Sequence, residues 1–116
     1  MGLITSGLND SVNGVAAAAA YISAHTGNPG GTGASEVTGG SYARQQTTWG
    51  AASNGSRVGS QVHIPIPSGT TVTHWGLWTA STGGTFKGWW QLSASEAFGA
   101  DGTLDHTPTL TSTAVN

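Results

Sequence analysis

The residues of this chain with types suited to chemistry are four histidines, five carboxylates and an arginine set between a tyrosine and a glutamine. A metal centre built from local sequence places His ligands at i, i+2 or i, i+4, where one strand or helix face presents both. His25, His63, His74 and His106 fall on four separate predicted elements, so no metal site is expected. His74, beside Trp75 on the most apolar segment, is the histidine with the least ordinary surroundings. Glycoside hydrolysis needs two carboxylates facing across a cleft. Asp10, Glu36, Glu96, Asp101 and Asp105 include no pair that spacing brings together. Serine is plentiful, but no G-x-S-x-G elbow appears. The glycine-rich GNPGGTGAS lacks the Gly-Lys-Ser/Thr ending of a phosphate loop. The expectation is a protein with no catalytic centre and no cofactor.

Binding is the stronger theme. Arg44 is one of three cations, and period-two alternation puts it on one strand face with Tyr42 and Gln46. A guanidinium there can grip a carboxylate through its fork or stack on an aromatic ring, which lysine cannot do. A structural clamp is the preferred reading, and Tyr42, Arg44 and Gln46 are candidate interface residues. Trp89 and Trp90 are adjacent on a predicted strand and must point to opposite faces. Trp90 is assigned to the core, and Trp89 joins the candidate interface, covered by a neighbouring subunit. An exposed tryptophan stacking on a sugar ring is the alternative.

The elements that position these residues are short strands. Ile4, Leu8, Val12 and Val15 recur at helical spacing, and Asn13-Gly14 supplies a stop, which predicts one short helix over residues 3–13. A strand is expected from about Ala19 to Thr26, then an exposed loop, a strand over 41–49 and the turn SNGS. In SQVHIPIP, Val62, Ile64 and Ile66 share a face, and two prolines remove backbone donors, which places this strand at a sheet edge. TTVTHWGLWTA is apolar on both faces and reads as a central strand. TFKGWWQL follows, and a threonine-rich strand ends the chain. The candidate core is Trp49, Val72, Trp75, Leu77, Trp78, Phe86 and Trp90. The fold class expected is mainly β, an antiparallel jelly-roll-like sandwich in one domain spanning 1–116.

Charged residues are 7% of the 116 positions, against about 25% in an ordinary soluble domain. No basic patch offers a nucleic-acid footprint, and no segment reads as a membrane span. Nineteen glycines among many Ser and Thr resemble a linker composition, but five tryptophans supply enough buriable surface to fold. A surface with so few charges is poorly protected against self-association, which points to a protein that works inside an assembly. Cysteine is absent, so disulfides and thiolate sites are excluded.

YISAHTGNPGGTGASE, EVTGGSYARQQTTWGAASNG, GTTVTHWGLWTA and FGADGTLDHTPTLT, in that order from about Leu3 to Thr111, resemble a family of small virion proteins of tailed bacteriophages, especially those of actinobacterial hosts. Members are described variously as minor tail, tail-fibre-like or capsid-associated proteins. The resemblance implies a virion structural role and carries no catalytic residues. Low charge, small size and β architecture fit a capsid decoration or minor capsid protein on the exterior of the shell. Such a protein would self-associate, as a trimer, and bind the major capsid protein. A minor tail or tail-fibre component is the alternative, and a carbohydrate-binding module is a third reading.

Overall fold

The computed structural model describes residues 19–50 and 56–111. The expected helix over 3–13 lies outside the described residues. Every strand pairing between them is antiparallel, and no helix occurs among them. The strands are β1 (Tyr21–His25), β2 (Gln45–Gln46), β3 (Ser56–Val58), β4 (Val62–Ile66), β5 (Thr70–Trp78), β6 (Phe86–Phe98), β7 (Gly102–His106) and β8 (Thr109–Thr111). They divide into a four-stranded sheet of order β2-β1-β5-β6 and two ribbons, β3-β8 and β4-β7, rather than into two sheets.

β5 is an internal strand, which its two apolar faces require. On one face Trp75 and Leu77 lie level with Ala24 and Ile22 of β1. These four are buried with Val62, Ile64 and Ile66 of β4, Leu104 of β7 and Leu110 of β8 in a single hydrophobic cluster. β4 alternates buried and less buried residues and sits in a ribbon, a position that tolerates Pro65. Of the candidate core, Val72, Trp75, Leu77 and Phe86 are buried. Trp49 and Trp90 pack half-buried against the cluster, and Trp49 donates its Nε1–H to the carbonyl of Ala19 at 2.8 Å. Trp78 is half-buried outside that cluster.

Three segments depart from their expected form. The strand predicted over 41–49 contracts to β2, because residues 38–44 swing away from the edge of β1. Gly39 and Gly40, with φ of 95° and 57°, make that excursion in left-handed conformations that side chains resist. β6 runs on to Phe98, and between the pairs Val72↔Glu96 and His74↔Gln91 it carries three more residues than β5, an irregular bulge. The terminal strand splits into β7 and β8, with Pro108 between them.

Candidate functional site

β1 has strand-like neighbours at both ends of its outer edge and a gap between. Val37 N–H donates to Ala24 O at 2.9 Å, and Thr47 N–H to Ala20 O at 2.8 Å. The buried N–H of Ala24 falls in the gap, where the Tyr42 hydroxyl accepts it at 3.1 Å. The same hydroxyl donates to Glu36 Oε2 at 2.7 Å. Tyr42 therefore stands in for a missing strand partner, satisfying a backbone donor that would otherwise be orphaned. Burial raises the Tyr42 pKa far above that of a free phenol, and the Glu36 carboxylate adds to the shift.

Arg44 closes the arrangement. Its Nε–H and one Nη–H donate to the two carboxylate oxygens of Glu36 at 2.9 and 3.0 Å, a bidentate fork. Its other terminal nitrogen donates to the carbonyls of Ala80 and Gly83 at 3.1 and 2.9 Å. The plane of the fork lies on the Trp78 ring, 3.6 Å from the centroid. With the Arg44 side chain 9% exposed and that of Glu36 21%, the pair is largely shielded from solvent. Burial opposes ionisation of Glu36, but the hydrogen bonds from Arg44 and Tyr42 outweigh it and hold the carboxyl below its usual range. One side chain thus ties the 36–44 excursion to the β5–β6 turn. Beside it is a depression of about 410 Å³ rimmed by Thr38, Gly39, Ala43, Ser81 and Gly83.

Below the clamp, on the face of the sheet opposite the main core, a second polar chain is buried. Trp78 Nε1–H donates to Ser23 Oγ at 3.0 Å. Ser23 Oγ is 2.6 Å from His25 Nε2, and His25 Nδ1 is 2.8 Å from the carbonyl of Ala34. Gly76 makes room for it: a Cβ there would stand 2.6 Å from Ser23 Oγ and 2.8 Å from His25 Nε2.

The candidate interface residues separate. Tyr42 and Arg44 come together, but inside the clamp. Gln46 is exposed on β2, opposite Tyr21. Trp89, expected to be covered only by a neighbour, is 6% exposed in the isolated chain and packs edge-on against His74, with ring centroids 5.3 Å apart. That correction has a simple cause: both faces of β6 are covered over residues 88–89, so opposite-pointing tryptophans do not require an exposed one. His63 donates to Asp105 at 2.7 Å on the surface, and His106 tilts against Trp75 with centroids 4.8 Å apart. Among the described residues no group of three or more His, Asp or Glu is placed to hold a metal ion. Glu36 was missed by sequence reasoning as the partner of Arg44, although an acid eight residues upstream in a chain with five was a usable signal. Nothing in the sequence marked the carbonyls of Ala80 and Gly83.

Fold and clamp together define a small antiparallel β module whose long glycine-rich connections are locked by neutral and paired polar contacts. Residues 4–111 match the family model described as podophage GP4 fiber I protein gp80. The chain belongs to this family, a tail-fibre-like group of phage virion structural proteins. No match was found among curated proteins.

Proposed function

We propose that this chain is a fibre component of a phage virion, a non-enzymatic module that self-associates as a trimer and docks on another virion protein through apolar and neutral polar contacts. The observation that carries the reading is the match to a fibre family over almost the whole chain. The chemistry of the surface supports it. Charged groups are few, and Arg44 and Glu36 are consumed by one another, so docking desolvates little charge, the costly part of burying an interface. Exposed Gln46 and the Ser81–Thr82 rim offer neutral hydrogen-bonding groups instead.

Decoration of the capsid exterior, with the major capsid protein as partner, is the second reading, favoured by small size and scarce charge. Copy number separates the two. Purified virions, analysed by quantitative gel, should carry few copies of a fibre component, and antibody labelling should fall on the tail. Several hundred copies and label over the shell would replace the fibre reading with decoration. In either case the protein should remain bound on washing from low to roughly molar salt, since screening acts on exposed charges. Release by salt would remove the neutral-contact docking.

A further inference from the structure

The clamp leaves hydrogen-bonding capacity unspent. Arginine carries five N–H donors. In Arg44 the Nε–H and one Nη2–H go to Glu36, and the two on Nη1 go to the carbonyls of Ala80 and Gly83. The second Nη2–H meets no acceptor among the described residues. Glu36 Oε2 accepts from both Tyr42 and Arg44, whereas Oε1 accepts from Arg44 alone and keeps a lone pair. One donor and one acceptor, on atoms 3.0 Å apart, are thus left over in a pair that lines the depression of about 410 Å³.

The rim has the same character. Thr38 and Gly39 come from the excursion, Ser81, Thr82 and Gly83 from the β5–β6 turn, and all five are exposed. The N–H groups of Thr38, Gly39, Ser81 and Thr82 find no acceptor among the described residues. At Gly39 and Gly83, with φ of 95° and 61°, nothing lies within 4 Å of where a Cβ would stand, so the rim is bare backbone that another chain can approach closely. The only charges in the lining are Arg44 and Glu36, which cancel. An ionic ligand would meet the like charge and have to break a largely shielded pair. No aromatic face is open to stack on a sugar ring: the guanidinium covers Trp78, and Tyr42 packs against the main core. A peptide group answers each feature, with a carbonyl for Arg44 Nη2–H, an N–H for Glu36 Oε1 and further carbonyls for the rim amides.

We propose that this depression is a docking socket: it takes an extended, uncharged segment of a neighbouring virion protein, held main chain to main chain over Arg44 and Glu36. The inference rests on the docking reading above and names its site. The ion pair then serves twice, locking the fold from within and presenting directional hydrogen bonds without net charge, so screening by salt has little to act on.

The test is photo-crosslinking in assembled virions. Phage are grown with Ser81→benzoylphenylalanine and, as a control, with Thr103→benzoylphenylalanine, which lies at a separate depression beside Pro65 and Pro67. Position 81 should cross-link to a different virion protein, within a stretch free of charged residues, and position 103 should not. Ala43→Trp and Ser81→Trp, which fill the depression without touching the clamp, should cut the copies per virion about tenfold, whereas Thr103→Trp should not. Thermal midpoints of the purified variants check that folding is intact. Cross-links from 81 only to a second copy of this chain would overturn the socket, as would equal loss from all three tryptophan variants. Shifts of the Gly39 and Gly83 amides on titrating the isolated chain with glucose or N-acetylglucosamine would reassign the depression to a saccharide. Virions that hold the protein through a salt wash yet give no cross-link from 81 would remove the socket and leave the docking reading standing.

Discussion

Arg44 caps Trp78. The guanidinium carbon stands 3.6 Å from the ring centroid while the same group forks onto Glu36 and holds two carbonyls of the 80–83 turn. Trp78 is therefore sealed by a cation on one side, by Phe86 at 5.0 Å and by the backbone of Gly33, not by the aliphatic core.

Removing that cap should be costly. Arg44→Ala leaves Glu36 largely buried without its counter-charge and two carbonyls without donors, and is expected to destabilise by about 3–5 kcal/mol. Arg44→Lys keeps the charge but cannot supply the fork or cover the ring, so it should recover less than half of that loss. Urea denaturation of the three proteins measures both. A loss below about 1 kcal/mol for the alanine variant would place the pair among ordinary surface ion pairs.

Tyr42→Phe deletes a single oxygen that serves two partners. The Ala24 N–H loses its acceptor in the gap of the β1 edge, and the expected loss is about 1–3 kcal/mol. Amide exchange at Ala24 should accelerate more than at Ile22, which remains in the ladder. Equal acceleration at both would show that the hydroxyl is not the local partner.

Two glycines make a controlled pair. Gly76→Ala drives a Cβ to within 2.8 Å of the His25 Nε2 and Phe86 Cε1 atoms and should cost about 1–3 kcal/mol through overpacking. Gly31→Ala, with nothing within 4 Å, should be close to neutral. Thermal midpoints of the two variants rank them directly, and the reverse order would refute the close packing of the His25 face.

Acid should weaken the fold in a defined window. Burial lowers His25, His74 and His106 below the ordinary 6.5, His106 to about 4, with its Nε2 buried and unpartnered. The folded protein then binds fewer protons than the unfolded chain, so stability present above pH 6.5 is lost as pH falls from there toward 4. Glu36, also lowered, adds a further loss below its ordinary 4.5. The urea midpoint should decline between pH 7 and 4.5, and His106→Leu should flatten that decline. A midpoint independent of pH in this range would contradict the burial of all three rings.

Alternation alone determined that the chain is mainly β, that β5 lies between two strands, and that Val62, Ile64 and Ile66 face the core, because a strand presents its side chains to its two faces at a fixed period. The same period placed Ser23 and His25 on one face of β1, and the types of Tyr42 and Arg44 declared a polar anchor. What period two cannot carry is contact across distance. The excursion at Gly39–Gly40, the bulge in β6 and the fold of the 26–35 loop each break the repeat, and the first of them, with the β5–β6 turn, brings Glu36 and the carbonyls of Ala80 and Gly83 around one guanidinium. Whether Trp78 or Trp89 is buried was likewise a tertiary decision, since a tryptophan's burial depends on what covers its face of the sheet. For Trp78 the cover is a cation, the Gly33 backbone and Phe86, contributed by segments distant in the chain.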